Sequence, residues 1–260
     1  VGKTGTKSML CVAFGAAAAT HASAASYNNL WGVPLTLARM PAATQYGVFE
    51  IGMNHAGEIR PLTRLVLPHV AIVTTVQPVH LEFFDSVDGI ADAKAEIFEG
   101  LTGPKIAIVN GEIAHTDRLV RAAERAGASA VLRFGENKGC DVRLTRCAAE
   151  GDGLRVGADV TGTAIDYVLR LAGRHQAVNS LAVLAAVKAV GADMEAAAAA
   201  LGSMTALKGR GETHTVPVQG GAITVIDESY NANPASMAAA LKTLGAHVAA
   251  PGGRRIAVMG

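Results

Sequence analysis

From Tyr46 to Phe134 the chain alternates short β-branched runs with longer stretches of helical periodicity, and this order constrains the fold more than anything else in it. Residues 46–51, 69–76, 105–110 and 128–134 read as strands, and 57–67, 86–101 and 117–126 as the helices between them. Asp85 or Ser86 can cap the second of these helices. Strands joined through helices of this length form βαβ units, which predicts a mostly parallel sheet flanked by helices.

The texture changes at 141–170, where polar and apolar residues alternate and Gly151-Asp152-Gly153 and Thr161-Gly162-Thr163 supply turns. A small antiparallel meander attached to the α/β core is expected there. Two Ala-rich helices follow, at 175–190 and 194–201. The Gly-rich loop at 208–212 is the best domain boundary, separating 1–207 from 208–260. Beyond it, 223–227 reads as a strand. Asn233-Pro234 caps and opens a helix to about residue 247, and 255–259 is expected to be another strand.

The 260 residues are 50% hydrophobic and 17% charged, ample for a core and unlike a disordered chain. Net charge is +1 and aromatics make up 4%, so neither a basic footprint nor a base-stacking surface is present and nucleic-acid partners are excluded. The apolar run at 9–19 is too short to span a bilayer, so no membrane partner is expected. Three cysteines without paired metal spacing argue against a disulfide framework or zinc site and suit a reducing cytoplasm. No secretory leader is read at the N-terminus, and the expected assembly is a monomer.

Several residues stand out as candidates for chemistry. Gly2-Lys3-Thr4 matches the end of a phosphate-binding loop, in which backbone N–H groups wrap phosphates, the Lys meets the outer ones, and a hydroxyl faces Mg²⁺. The alternative is an ordinary frayed terminus. The earlier glycine of the full motif would lie before Val1, so the domain is read as truncated within that loop. Glu50 ends an apolar strand, where ligands of parallel sheets collect, and is either a Mg²⁺ ligand or a solvated strand end. His80 holds a similar place after the next strand, as a ligand or as a packed histidine.

Lys94 falls on the apolar stripe of its helix with Ile90, Ala93, Ile97 and Phe98, while Asp92, Glu96 and Glu99 take the other side. An ammonium there must snorkel, find a counter-charge or lose its proton. Arg210, bracketed by glycines, can reach a phosphate bidentately. Asp227 and Glu228 are adjacent carboxylates at a strand end. Asn179 is a polar residue in an Ala/Leu/Val helix, with solvent exposure as the simple explanation.

Taken in order, these pieces resemble the Mur ligases. The resemblance rests on Gly-Lys-Thr-Gly-Thr-Lys at 2–7, Asn-Asn-Leu-Trp-Gly-Val-Pro at 28–34 and Glu-Ile-Gly-Met-Asn-His-Ala-Gly-Glu-Ile at 50–59. It continues through His80-Leu81-Glu82, Ala-Lys-Ala-Glu-Ile-Phe at 93–98, Gly173-Arg174-His175 with Asn179, Gly209-Arg210, and Asp-Glu-Ser-Tyr-Asn-Ala-Asn-Pro at 227–234. It implies a P-loop-type ATPase domain over 1–207 and the start of a Rossmann-like domain over 208–260, truncated before its end. The last tract points to the member that joins D-Ala-D-Ala to UDP-N-acetylmuramoyl-tripeptide in peptidoglycan precursor synthesis.

The implied reaction is ATP-dependent amide formation through an acyl phosphate, with ATP and Mg²⁺ as cofactors. By resemblance, Gly2, Lys3, Thr4, Gly5, Asn179, Arg210, Asp227 and Glu228 would contact the nucleotide. Thr4, Glu50, His80 and a carbamylated Lys94 would hold Mg²⁺, and Lys3, Lys94, His80 and Arg210 would serve catalysis. A folylpolyglutamate synthase of the same superfamily and a non-catalytic nucleotide-binding fragment are the alternatives. A P-loop switch or kinase would need motifs that the chain lacks.

Overall fold

Strand β4 (Ile106–Asn110) shows how the sequence builds its layers: Ala107, Ile108 and Val109 are all fully buried, yet they alternate between two cores. Ile108 joins one cluster, while Ala107 and Val109 join the other, as the period of two requires. The computed structural model describes residues 2–78, 81–151, 153–249 and 252–259.

Helix α1 (Lys3–Gly15) leads into strand β1 (Thr20–Ala22), helix α2 (Gly32–Ala38) and strand β2 (Tyr46–Val48). Helix α3 (Ile59–Val66), strand β3 (Val70–Val73) and helix α4 (Val87–Ala95) follow, and α4 tightens into a 3₁₀ segment over Glu96–Gly100. After β4 come helix α5 (Thr116–Arg125) and strand β5 (Ala130–Gly135). Strands β6 (Val142–Glu150), β7 (Gly153–Val160) and β8 (Thr163–Leu169) form the predicted meander.

The meander is part of the main sheet rather than an attachment to it. The sheet runs β3-β4-β5-β6-β7-β8; β3, β4 and β5 pair in parallel, and β5 meets β6 in parallel at Phe134↔Val142 and Gly135↔Arg143. Strands β6–β8 then pair antiparallel. A separate parallel pair, β1-β2, faces β3 across an apolar slot of about 390 Å³ between 45–51 and 66–72.

Helix α6 (Arg174–Ala189) and helix α7 (Met194–Leu201) pack with α1 on one face through Met9, Leu181, Leu184 and Leu201. Helices α4 and α5 cover the other with Ile90, Phe98 and Leu119. Ser86 caps α4, its Oγ accepting from the Gly89 N–H at 3.1 Å.

Past residue 208 the architecture departs from expectation in two places. Residues 212–227 form an antiparallel hairpin, with β9 (Glu212–Val218) beside the predicted strand β10 (Gly221–Asp227). The strand expected at 255–259 does not form: Ile256, Val258 and Met259 are 71%, 93% and 65% exposed, with no ladder partner among the described residues. Helix α8 (Pro234–Ala246) starts as predicted, with Asn233 and Ser236 in a reciprocal capping box.

Candidate functional site

The first turn of α1 leaves its backbone donors free. Gly2 adopts a left-handed conformation (φ 81°), and a Cβ there would lie 3.2 Å from Asn179 Nδ2 on α6. Glycine is therefore favoured here by its backbone, and a Cβ would also crowd the Asn179 amide. No side chain caps α1 and its first turn holds no acidic residue, so its free N–H groups and the positive end of the helix dipole remain available. Lys7 is spent on structure: its buried ammonium donates to the Ser23 and Ala25 carbonyls at 2.9 and 3.1 Å.

That turn opens into a cleft of about 480 Å³, lined by Gly2, Lys3, Gly5, Lys94, Asn179, Arg210 and Glu228. Seven of the residues singled out in the sequence thus share one cavity, although they come from α1, α4, α6 and the segment after residue 208. Asn179 is half-buried against Gly2 rather than facing solvent. The half-buried Arg210 sits between two positive-φ glycines, Gly209 and Gly211, with its guanidinium 3.8 Å from the centre of the Tyr230 ring. Glu228 lines the cleft, where desolvation raises its carboxyl against the opposing pull of Arg210. Asp227 takes a different role: its Oδ1 accepts from the Ser229 N–H at 3.0 Å, and hydrogen bonds with Ser229 lower its pKa. It does not line the cleft.

Glu50 is not a solvated strand end. It is 6% exposed, and its Oε1 accepts from Asn28 Nδ2 at 2.9 Å and Thr4 Oγ1 at 3.3 Å. Its Oε2 is buried with no hydrogen-bond partner. A buried, unmatched carboxylate oxygen beside a hydroxyl is costly unless a cation or donor completes it. The donor set therefore suits a hard cation such as Mg²⁺, which favours oxygen ligands.

Among the described residues no three His, Cys, Asp or Glu side chains cluster for a metal, so a cation here needs an oxygen ligand of another kind. Lys94, which lines the cleft with Lys3, would supply one only if its amine were converted to an oxygen-bearing group. Burial, helped by the charge of Lys3, lowers its pKa from 10.5 to about 8, which leaves a fraction of neutral amine near neutral pH. His80 lies outside the described residues.

The sequence places Glu96 on the side of its helix opposite the apolar stripe, yet it is 7% exposed. The start of α3 covers that side of the helix, where the Gly57 and Arg60 N–H groups meet its carboxylate. Asn28, Ser26 and Tyr230 were given no individual role. Asn28 and Ser26 meet the site only through the fold, from the loop between β1 and α2: Ser26 Oγ is 3.4 Å from Thr4 Oγ1 and accepts from Tyr230 at 3.4 Å. Gln176, whose buried Oε1 has no partner beside Gly5, is a further lining residue whose only sequence signal was its place in the tract before Asn179.

The Mur ligase middle domain family matches residues 1–187. A UDP-N-acetylmuramoyl-tripeptide–D-alanyl-D-alanine ligase from Rickettsia prowazekii is 33% identical over 244 residues, covering 94% of this chain and 54% of the relative. A crystal structure of MurF from Acinetobacter baumannii superposes with a TM-score of 0.86 at 31% identity, over 95% of this chain and 53% of that one. MurF from Thermotoga maritima in complex with ADP shares the fold, with a TM-score of 0.81 at 22% identity over 95% of this chain and 56% of that one. The chain spans about half the length of the relatives it matches. With the family's middle domain matched across the sheet, α1 and most of α6, the chain belongs to the Mur ligase family.

Proposed function

We propose that this chain is the nucleotide-handling part of an ATP-dependent ligase that joins D-Ala-D-Ala to UDP-N-acetylmuramoyl-tripeptide. The observation that carries the proposal is the convergence of an uncapped helix N-terminus, Lys3, Asn179 and Arg210 on one cleft, with the unmatched Glu50 carboxylate beside Thr4. The 33% identical relative from Rickettsia prowazekii bears that name, and the Thermotoga maritima structure is a complex with ADP. In this reading 1–207 forms the ATP-binding domain and 208–260 begins the next, contributing Arg210 and Glu228. Three unbridged cysteines fit a cytoplasmic, ATP-using enzyme.

In the reaction the tripeptide's terminal carboxylate oxygen attacks the γ-phosphorus of ATP and ADP leaves, giving an acyl phosphate. The amine of D-Ala-D-Ala then attacks the acyl carbon. Phosphate leaves, the nitrogen loses a proton, and an amide remains. The first step brings two anions together, so the protein must supply positive charge already in place. Lys3 and the α1 amides face the phosphates at one wall of the cleft, and Arg210 faces them from the segment beyond residue 208. Tyr230 stacks on Arg210 and holds its guanidinium plane. Asn179 and Glu228 offer polar groups to the nucleotide.

Mg²⁺, when bound, neutralises phosphate charge. Thr4, Glu50 and Lys94 would hold it, together with His80. Lys94 would do so as the carbamate, formed when its neutral amine adds CO₂ and releases a proton, so that a cation becomes an anionic oxygen ligand. The test is phosphate release by the full-length enzyme. It should require ATP, the UDP-tripeptide and D-Ala-D-Ala together. Release with glutamate in place of D-Ala-D-Ala would move the protein to the polyglutamylating branch.

A further inference from the structure

Glu50 lies just past β2 and Lys94 lies on α4, with residues 51–58 looping between the first of them and α3. Met53 in this loop lines the cleft with Lys94, so the loop's position sets part of the wall beside Lys94. Glu96 anchors its C-terminal end. Its buried carboxylate accepts from the Gly57 N–H through Oε1 at 2.7 Å and from the Arg60 N–H through Oε2 at 3.1 Å.

Arg60 is the second residue of α3, and Glu58, the cap residue, makes no side-chain cap bond. Helices α4 and α8 are capped by their own flanking residues, Ser86 and Asn233. For α3 the cap arrives from a residue 36 positions later in the chain. A local residue could satisfy the helix end alone. A distant one also fixes two elements against each other. The same seam carries a 2.7 Å bond from Thr63 Oγ1 to the Ile97 carbonyl and the packing of Met53 and Ile97 against Ile51 and Ile59.

We infer that Glu96 is a positioning residue for the cation site: one buried carboxylate ties the loop after Glu50 to the helix that carries Lys94. The inference rests on the cation reading of Thr4, Glu50 and Lys94 proposed above. Glu96 touches neither nucleotide nor cation and acts through the segments it joins. Removing one accepting oxygen leaves the Gly57 or Arg60 N–H facing an amide NH₂, which opens the seam.

The experiment is calorimetric titration of the 260-residue chain with ATP at a series of Mg²⁺ concentrations and in chelator. Glu96→Gln should raise the Mg²⁺ concentration at half effect by about tenfold or more, as is usual when a group supporting a metal ligand is lost. Its affinity for ATP in chelator should stay that of the wild type. Glu99→Gln is the control, because Glu99 lies in the same 3₁₀ segment and pairs with the exposed Arg60 and Arg64 side chains. It should leave the Mg²⁺ midpoint unchanged. A Glu96→Gln midpoint within a factor of two of wild type would overturn the inference. A wild-type chain whose ATP affinity ignores Mg²⁺ would instead overturn the cation reading, and this inference with it. Should Glu96→Gln fail to fold, hydrogen exchange in the wild type decides: Gly57 and Arg60 amides must be protected, and unprotected exchange at both would refute the tether.

Discussion

Replacing Lys94 with Met should make the chain more stable at pH 7 while removing a group that the proposed chemistry needs. The side chain shares its stripe with the fully buried Ile90 and Phe98, and its folded pKa of about 8 lies well below the ordinary 10.5. At 1.36 kcal/mol per unit, that difference amounts to about 3 kcal/mol. This is an upper bound, since part of the side chain still meets solvent. Met matches the length of the lysine stem without its charge. A gain of about 1.5–3 kcal/mol should raise Tm by about 3–10 °C in a chain of this size.

The pH dependence supplies the sign. Below pH 8 both folded and unfolded chains carry the Lys94 proton, so the full penalty weighs on the wild type. Between about 8 and 10.5 the unfolded chain binds more protons than the folded one, and wild-type stability rises with pH. The advantage of Lys94→Met should therefore shrink across that window and vanish above it. Urea denaturation of both proteins at pH 7, 9 and 10.5, in buffer free of CO₂, measures the gap. A gap that stays constant with pH, or a Met variant less stable at pH 7, would refute the reasoning.

Glu50→Gln keeps the shape of the side chain and removes its charge. ATP binding should lose more than tenfold of its Mg²⁺ dependence, which a Mg²⁺ titration by calorimetry would show. Gly100→Ala should cost about 1–3 kcal/mol in denaturant melts, because the new Cβ falls onto the Thr63 carbonyl and hydroxyl of α3. Tyr230→Phe keeps the ring under Arg210 and should hold ATP affinity within about twofold, whereas Tyr230→Ala should weaken it by about fivefold.

What the sequence revealed and what it hid follow physical lines. The βαβ alternation was legible because parallel strands buried on both faces read as continuous apolar runs, as Ile106-Ala107-Ile108-Val109 does. The caps at Ser86 and Asn233 were legible because the bond is local. Strand β9 was hidden by Pro217, which is tolerated because the hairpin leaves β9 on an edge. Strand β1 has three residues, too few to show a period.

The site divides in the same way. Lys94 announced itself by breaking an apolar stripe. The burial of Glu50 did not, because its partners Thr4 and Asn28 stand 46 and 22 residues away. The burial of Glu96 was hidden for the same reason, because the Gly57 and Arg60 amides that cover it stand 39 and 36 residues away. The stripe at 255–259 carries strand propensity, but Val258 at 93% exposure shows that propensity without a pairing neighbour builds no strand.

The central claim is that the cleft between α1, α6 and the Arg210 loop holds an adenine nucleotide with Mg²⁺. Amide NMR of the isotopically labelled chain, titrated with ATP and Mg²⁺, tests it most directly. The account predicts saturable shifts at Gly2, Lys3, Thr4 and Gly5, with further shifts at Asn179, Arg210 and Glu228, and larger changes near Glu50 only when Mg²⁺ is added. Shifts confined to other surfaces, or none at millimolar ATP with Mg²⁺, would contradict it.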